Sequence, residues 1–413
     1  MSRKLLWVML LLLIPAMLFA QNGKIRGFIT DNETGEPLIG ANVTIEGTSL
    51  GASSDMTGTY IILAIPPGVY TIRATYIGYQ AEAIQNVRVN AGLTTTQDFG
   101  LSTTAIRGEE LVVVAERPLI QRNTTNTIRM TTEEDIQNIP IRGLQNILSL
   151  DAGTVLQDGN LHVRGGRRGE VAYFVDGATA TNAYNNQENI NVIQEAVEEI
   201  QMQAGGYTAE FGGGNSAVVR TMIRTGGPQI KMSLDYRTDD FAKPGETFLG
   251  THSYGFHNAV ATLSGPIPGF SRVRFFLAAQ HNYQRNRNPS FVEPFMFEGL
   301  TDDGATGREE GSLLPEAGTI KWKENHLPLN ERTDDLFQGT LLFSATDNLK
   351  FRMTGSYHQV VRPSQGGNFQ SSLFNYYNMH RIPEWKEQTW MAGLRMTHII
   401  NEKTFYELGL FYS

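Results

Sequence analysis

LKFRMTGSYHQVV, residues 349–361, alternates from Leu349 to His358. Leu349, Phe351, Met353, Gly355 and Tyr357 fall on one face of an extended chain, and Lys350, Arg352, Thr354, Ser356 and His358 on the other. Successive side chains of a strand point to opposite sides, so this is a strand with one apolar and one polar face. Downstream, Trp390, Ala392, Leu394 and Met396 oppose Gly393, Arg395 and Thr397, and Tyr406, Leu408, Leu410 and Tyr412 share a face of TFYELGLFYS. Seven such strands can be placed after residue 228, at about 229–238, 256–264, 272–283, 335–345, 349–361, 388–400 and 404–413. Their links alternate between short (GPIPGF, ATDN, NEK) and long and polar (around 239–255, 284–334 and 362–387). Apolar-out, polar-in strands of about ten residues, with short turns on one rim and long loops on the other, predict an outer-membrane β-barrel in contact with lipid.

The other end of the chain agrees with that destination. Arg3 and Lys4 precede an apolar run from Leu5 to Phe19, and Leu18-Phe19-Ala20 offers a cleavage site before Gln21. The run is shorter than the roughly 20 residues of a spanning helix, so residues 1–20 read as an export signal. The 413 residues contain no cysteine, which excludes disulfides, thiolate metal sites and a lipid-modified N-terminal cysteine. Lys plus Arg number 34 against 42 Asp plus Glu, a net charge of −8. Nucleic-acid binders are usually basic, so the arginine-rich stretch at 164–169 is not read as an RNA-binding segment.

Residues 21–103 consist of short strands and turns such as Thr34-Gly35-Glu36-Pro37 and Pro66-Pro67-Gly68, the pattern of a small antiparallel β-sandwich. Three elements here, Thr34-Gly35-x-Pro37-Leu38-x-Gly40-Ala41, Asp55-x-x-Gly58-x-Tyr60 and Pro67-Gly68-x-Tyr70, resemble the carboxypeptidase regulatory-like domain. That resemblance implies a prealbumin-like sandwich without peptidase activity. Residues 104–128 form a polar linker with one island, Glu109-Glu110-Leu111-Val112-Val113-Val114-Ala115. The residues alone allow either a buried strand or an extended peptide captured by strand addition to a partner's sheet.

Residues 129–227 are mixed α/β. MTTEEDIQNIP offers a Thr N-cap and a short helix stopped by Pro140, and IRGLQNILSLDAG has helical spacing. LHVRGG and VAYFVDG alternate as strands, the second closing on the turn pair Asp176-Gly177. INVIQEAVEEIQMQAGG predicts a helix leading into a strand, and AVVRTMIRTGG a final strand. LHVRGGRRGEVAYFVDGATATNAY (161–184) resembles the core of the TonB-dependent receptor plug, with Arg164-Gly165 and Val175-Asp176-Gly177 on its pattern. Glu210-Phe211-Gly212 and Arg224 fall on the plug's closing element, although VEEIQMQAGG departs from its usual wording.

The resemblance implies a plug filling the lumen of an antiparallel transmembrane barrel, with Glu110, Leu111, Val112, Val113, Val114 and Ala115 as the TonB box. It also implies TonB or a TonB-like inner-membrane energy transducer as partner, an unidentified extracellular ligand, and a periplasmic sandwich and plug. Within a polar lumen the plug arginines are expected to pair with acidic barrel residues, Arg164 buried and Arg167 and Arg168 on an exposed turn. An Oar-like surface protein for adhesion or envelope structure is the alternative.

No catalytic constellation emerges. GxxxxGK[ST], HExxH and an exact G-x-S-x-G are absent, Thr251 replacing the needed glycine in Gly250-Thr251-His252-Ser253-Tyr254-Gly255. Asp31, Glu33, Asp302 and Asp303 read as solvated turn residues, and Gly212 to Asn215 lacks a phosphate-loop context. The expectation is a transporter with no cofactor, no metal and no enzymatic activity. A plug-bearing barrel of about 22 strands needs roughly 220 strand residues. Seven strands are therefore expected to form only part of a barrel, an open sheet whose first and last strands do not meet.

Overall fold

The computed structural model describes residues 22–48, 50–103, 111–114, 128–182, 184, 186–188, 190–207, 212–242, 247–285, 295–297, 320–322, 331–363, 384–401 and 404–413. The export signal and Glu110, Ala115, Glu210 and Phe211 lie outside these residues. Among the described residues no helix is long and apolar enough to cross a membrane, and strands dominate.

The first unit holds β1 (Gly23–Asp31), β2 (Asn42–Ile45), β3 (Gly51–Ser53), β4 (Thr59–Ile65), β5 (Gly68–Thr75), β6 (Glu82–Val89), β7 (Thr94–Thr96) and β8 (Phe99–Leu101). One sheet runs β4-β1-β7 with β8 also on β1; the other runs β3-β2-β5-β6 and ends on β9 (Leu111–Val114). Ile25, Ile29, Val43, Tyr60, Ile72 and Ile84 fill the space between them. The sandwich is not purely antiparallel as expected: β7 and β8 both run parallel to β1, and β9 runs parallel to β6. Parallel partners come from distant parts of the chain, so no hairpin signal in the sequence marks them.

The second unit holds β10 (Ile128–Thr132), β11 (Thr154–Gln157), β12 (Asn160–Val163), β13 (Val171–Val175), β14 (Ala178–Thr179), β15 (Val197–Gln203) and β16 (Ala217–Ile223). Its sheet runs β10-β15-β16-β13-β14, with β13 and β16 parallel and a separate β11–β12 hairpin. Thr132 caps the helix Glu133–Asn138 through a reciprocal box with Asp135, and the chain turns extended at Ile139 ahead of Pro140. The helix expected before β15 is only a 3₁₀ turn, Gln194–Ala196. Strands β13 and β16 are buried along their whole lengths, which is why they read as apolar runs with little alternation.

The third unit is a seven-stranded antiparallel sheet. Its members are β17 (Lys231–Thr238), β20 (Phe256–Ile267), β21 (Phe270–Gln284), β24 (Arg332–Ser344), β25 (Leu349–Pro363), β26 (Glu384–Asn401) and β27 (Thr404–Tyr412), in chain order across the sheet. Two small hairpins decorate its long links, β18 (Thr247–Phe248) with β19 (Thr251–His252), and β22 (Phe295–Phe297) with β23 (Ile320–Trp322). The sheet is open, β17 and β27 being its two ends. Its faces are inverted relative to a protein in water. Gln338, Thr340, Thr354, Ser356, Arg395 and Glu407 are buried, while Trp390 is 59% and Leu410 66% exposed. An apolar outer face over a polar inner one suits a lipid surround.

Candidate functional site

The polar inner face of the sheet exists to meet the second unit, and the tightest meeting point is the β13–β14 turn. Asp176 and Gly177 both take positive φ (47° and 90°), the two-residue hairpin turn that Asp-Gly favours. This turn delivers the Asp176 carboxylate, only 3% exposed, to strands β25 and β26 of the wall. Arg352 Nη2 donates to both its oxygens, at 3.0 and 2.9 Å, and to the Ile223 carbonyl at 2.6 Å. Thr354 Oγ1 donates to Oδ2 at 2.8 Å and the Ile223 N–H to Oδ1 at 3.2 Å. Arg395, lying over the Phe411 ring, donates to the Asp176 carbonyl at 2.6 Å. A buried carboxylate is tolerable when its lone pairs are filled in this way by charged donors.

This arrangement corrects the expected polarity. The acid belongs to the inner unit and the arginines to the wall. Arg164 is exposed, with φ +51°, and makes no ion pair among the described residues; its backbone N–H reaches the Gly153 carbonyl at 2.7 Å. Gly165, at φ +77°, completes a left-handed turn, and a strand that ends in such a turn swings its last side chain off the sheet. Arg167 and Arg168 are exposed as expected. An arginine that does meet a wall carboxylate is Arg142, 3.4 Å from Asp235 and also paired with Glu195. The Arg224 side chain bonds within its own unit, to Glu133 at 3.0 Å, and lies 5.5 Å from the centre of the wall's Phe276 ring, while its carbonyl accepts from Thr340 of the wall at 2.7 Å. Val175 is buried and Gly212 exposed. Gln338, unnoticed in the sequence, accepts the Ile193 N–H at 2.8 Å and donates to the Asn191 carbonyl at 2.9 Å. Its only sequence signal is its place on the polar face of β24.

The sandwich sits against the short-turn rim. Arg274, near the start of β21, donates to the Gly47 carbonyl at 2.9 Å, and Asn22 donates to Thr397 and Glu407 near the other short turns. It also docks on β15. The Ala91 N–H donates to Glu199 Oε1 at 2.9 Å, Gln201 Nε2 donates to the Ala91 carbonyl at 2.9 Å, and Arg88 to the Glu198 carbonyl at 3.3 Å. Burial raises the carboxyls of Glu198 and Glu199; like charge from Glu133 adds to the effect at Glu198, which is pushed up to about 7 despite Arg88 and Arg224.

The second unit also carries a polar pocket of about 260 Å³ lined by Gln145, Asp158, Asn160, Arg168, Tyr173 and Glu188. Loss of solvent pushes the Glu188 carboxyl up to about 7, against a 3.0 Å hydrogen bond from Gln145. Glu188 stands three residues before Asn191, which approaches His358 (3.5 Å) on the half of β25 that leads to a long link. Elsewhere, Ser253 is buried with its Oγ accepting the Ala242 N–H, and Asp31, expected to be solvated, is buried with Tyr79 and two turn N–H groups on its carboxylate. No group of three or more His, Asp or Glu able to hold a metal occurs among the described residues.

Comparison with known proteins joins these units. The family model of the carboxypeptidase regulatory-like domain matches residues 24–102, and that of the TonB-dependent receptor plug domain residues 120–219. The chain is 24% identical over 391 residues to the TonB-dependent transporter Oar of Myxococcus xanthus, covering 86% of this chain and 36% of that protein. It is 36% identical over 66 residues to the TonB-dependent receptor SusC of Bacteroides thetaiotaomicron, 16% of this chain and 6% of that one. Among solved structures it is similar to the ferric enterobactin receptor PfeA of Pseudomonas aeruginosa, with a TM-score of 0.44 and 15% identity over 66% of this chain and 38% of that one. The chain thus spans about a third of the length of Oar. Its plug domain lies against the polar face of a lipid-adapted sheet, and the chain is similar to TonB-dependent receptors of the outer membrane, with a carboxypeptidase regulatory-like domain ahead of the plug.

Proposed function

We propose that the protein takes up a scarce ligand across the outer membrane, driven by energy passed from the inner membrane. The ligand binds among the long loops and over the pocket that contains Arg168 and Glu188. The transducer engages residues 110–115 and pulls, and the plug shifts to open a path. The observation that carries this reading is how the plug is held. Alongside apolar contacts such as Phe276 and Met391, its turn at Asp176 is fastened to the wall by hydrogen bonds and one ion pair. Such contacts can exchange for water one by one when the plug moves, whereas a wholly apolar seam would expose its area to water at once. Deleting residues 109–115 is expected to leave membrane insertion intact and to abolish energised uptake of the ligand identified by capture on the purified protein and mass analysis. Unchanged uptake in the deletion would remove the transducer-binding role from this segment.

A further inference from the structure

Residues 111–114, whose sequence allows either a buried strand or a segment captured by a partner's sheet, lie on a sheet of this chain. They lie parallel on the edge of β6, pairing Glu82 with Leu111, Ala83 with Val112, Ile84 with Val113 and Gln85 with Val114. Without β9, β6 would be the outermost strand of its sheet, a row of open backbone donors and acceptors. In a parallel ladder the backbone groups of alternate residues point to one neighbour and those between them to the other side. Half of the backbone groups of 111–114 are thus directed at β6. The other half face away, along an edge that no described strand occupies.

We propose that the edge of β6 is a docking site for residues 111–114, and that the sandwich thereby holds them extended and offers their outer edge to the strand of the energy transducer. The proposal rests on the reading of this segment as the transducer-binding one. A four-residue peptide captured from a flexible linker loses backbone freedom on binding; a strand already laid on a sheet has lost it beforehand. The transducer's strand would then extend one continuous sheet.

The same strand also reaches the plug. β6 carries β9 on its first half, and at its far end Arg88 and the adjoining Ala91 contact Glu198, Glu199 and Gln201 of β15. Tension applied to β9 therefore enters β6 and passes to the plug sheet by a route other than the linker of residues 115–127. The sandwich becomes a coupling piece between transducer and plug.

A chain without cysteine makes the test direct. Gln85 and Val114 are register partners, and neighbouring strands lie about 4.8 Å apart, within reach of a disulfide. The full-length receptor carrying Q85C with V114C is oxidised in detergent, and its affinity for the purified periplasmic domain of the transducer is measured before and after reduction, with each single variant as control. The pair is expected to oxidise, and the locked form to bind within about twofold of the reduced one. In a separate variant, Q85P, the edge loses a backbone donor, and binding is expected to weaken by on the order of 3–10-fold as preorganisation is lost. Failure of the pair to oxidise would overturn the docking. A tenfold or greater loss of binding on oxidation, reversed by reductant, would overturn presentation and show that the sandwich withholds the segment. If oxidation proceeds but the reduced protein captures no transducer domain, the transducer reading itself fails and presentation falls with it, while the β6 docking site stands.

Discussion

The two ends of β13 offer a comparison. Before it lies Arg164-Gly165-Gly166-Arg167-Arg168-Gly169, and after it Asp176-Gly177. Both are glycine-bearing turns with left-handed residues and both carry charge. The arginine turn stays at the surface, whereas the aspartate turn is driven into the wall and held there by Arg352, Thr354 and Arg395. Three charges clustered in sequence are less consequential than one charge with partners fixed opposite. A buried charge persists only where the surrounding structure supplies donors at defined positions. The barrel wall supplies them at one end of the strand and not at the other.

The comparison breaks most sharply at Asp176. Asp176→Ala leaves the largely buried Arg352 without its carboxylate, and a loss of about 3–5 kcal/mol in plug stability is expected. Protease resistance and urea release of the plug in the intact receptor measure it, and a loss as small as that from an exposed arginine would erase the contrast. A double-mutant cycle sharpens the assignment: Asp176→Asn combined with Arg352→Met should show a coupling of about 1–3 kcal/mol, because the two groups share one network. Additive losses would place the stabilisation elsewhere, for instance in the Arg395 bond to the backbone.

A third outcome contrasts the fully paired Asp176 with the poorly solvated Glu198. The sandwich adds to the burial that raises the Glu198 carboxyl from its ordinary 4.5 to about 7, so the docked form binds more protons than the undocked one within that range. Sandwich–plug docking should therefore be strongest below about pH 4.5 and weaken as pH rises through about 7, by on the order of 1–3 kcal/mol. Cleavage of the interdomain contact followed against pH reads this, and Glu198→Gln should flatten the profile. The smallest effects belong to the arginine turn. Arg167→Ala and Arg168→Ala should change plug stability by less than about 0.5 kcal/mol. Arg164→Gly should be neutral or stabilising by up to about 1 kcal/mol, since glycine carries no penalty at φ +51°. A clear loss at Arg164 would restore the pairing first expected for it.

The seven wall strands, their faces and their alternating links were legible in advance, as was the Asp-Gly hairpin turn. Each rests on local rules: side chains alternate along any extended backbone, and Asp-Gly accepts the left-handed pair of conformations wherever it occurs. Arg352, Thr354 and Arg395 could be assigned to the polar face on the same ground, but nothing in the chain named Asp176 as what they would meet, 176 residues away from Arg352. Arg164, promoted by its motif, was misjudged because burial of a turn depends on what stands opposite it. The parallel seat of residues 111–114 on β6 was equally hidden, for a strand-forming segment advertises its conformation but not its neighbour. Sequence by itself therefore determined the conformation of each segment and the solvent each face prefers. Only the tertiary structure decided which charges pair, because an ion pair is a relation between two places that the backbone brings together, and its energy depends on their separation and burial rather than on either residue alone.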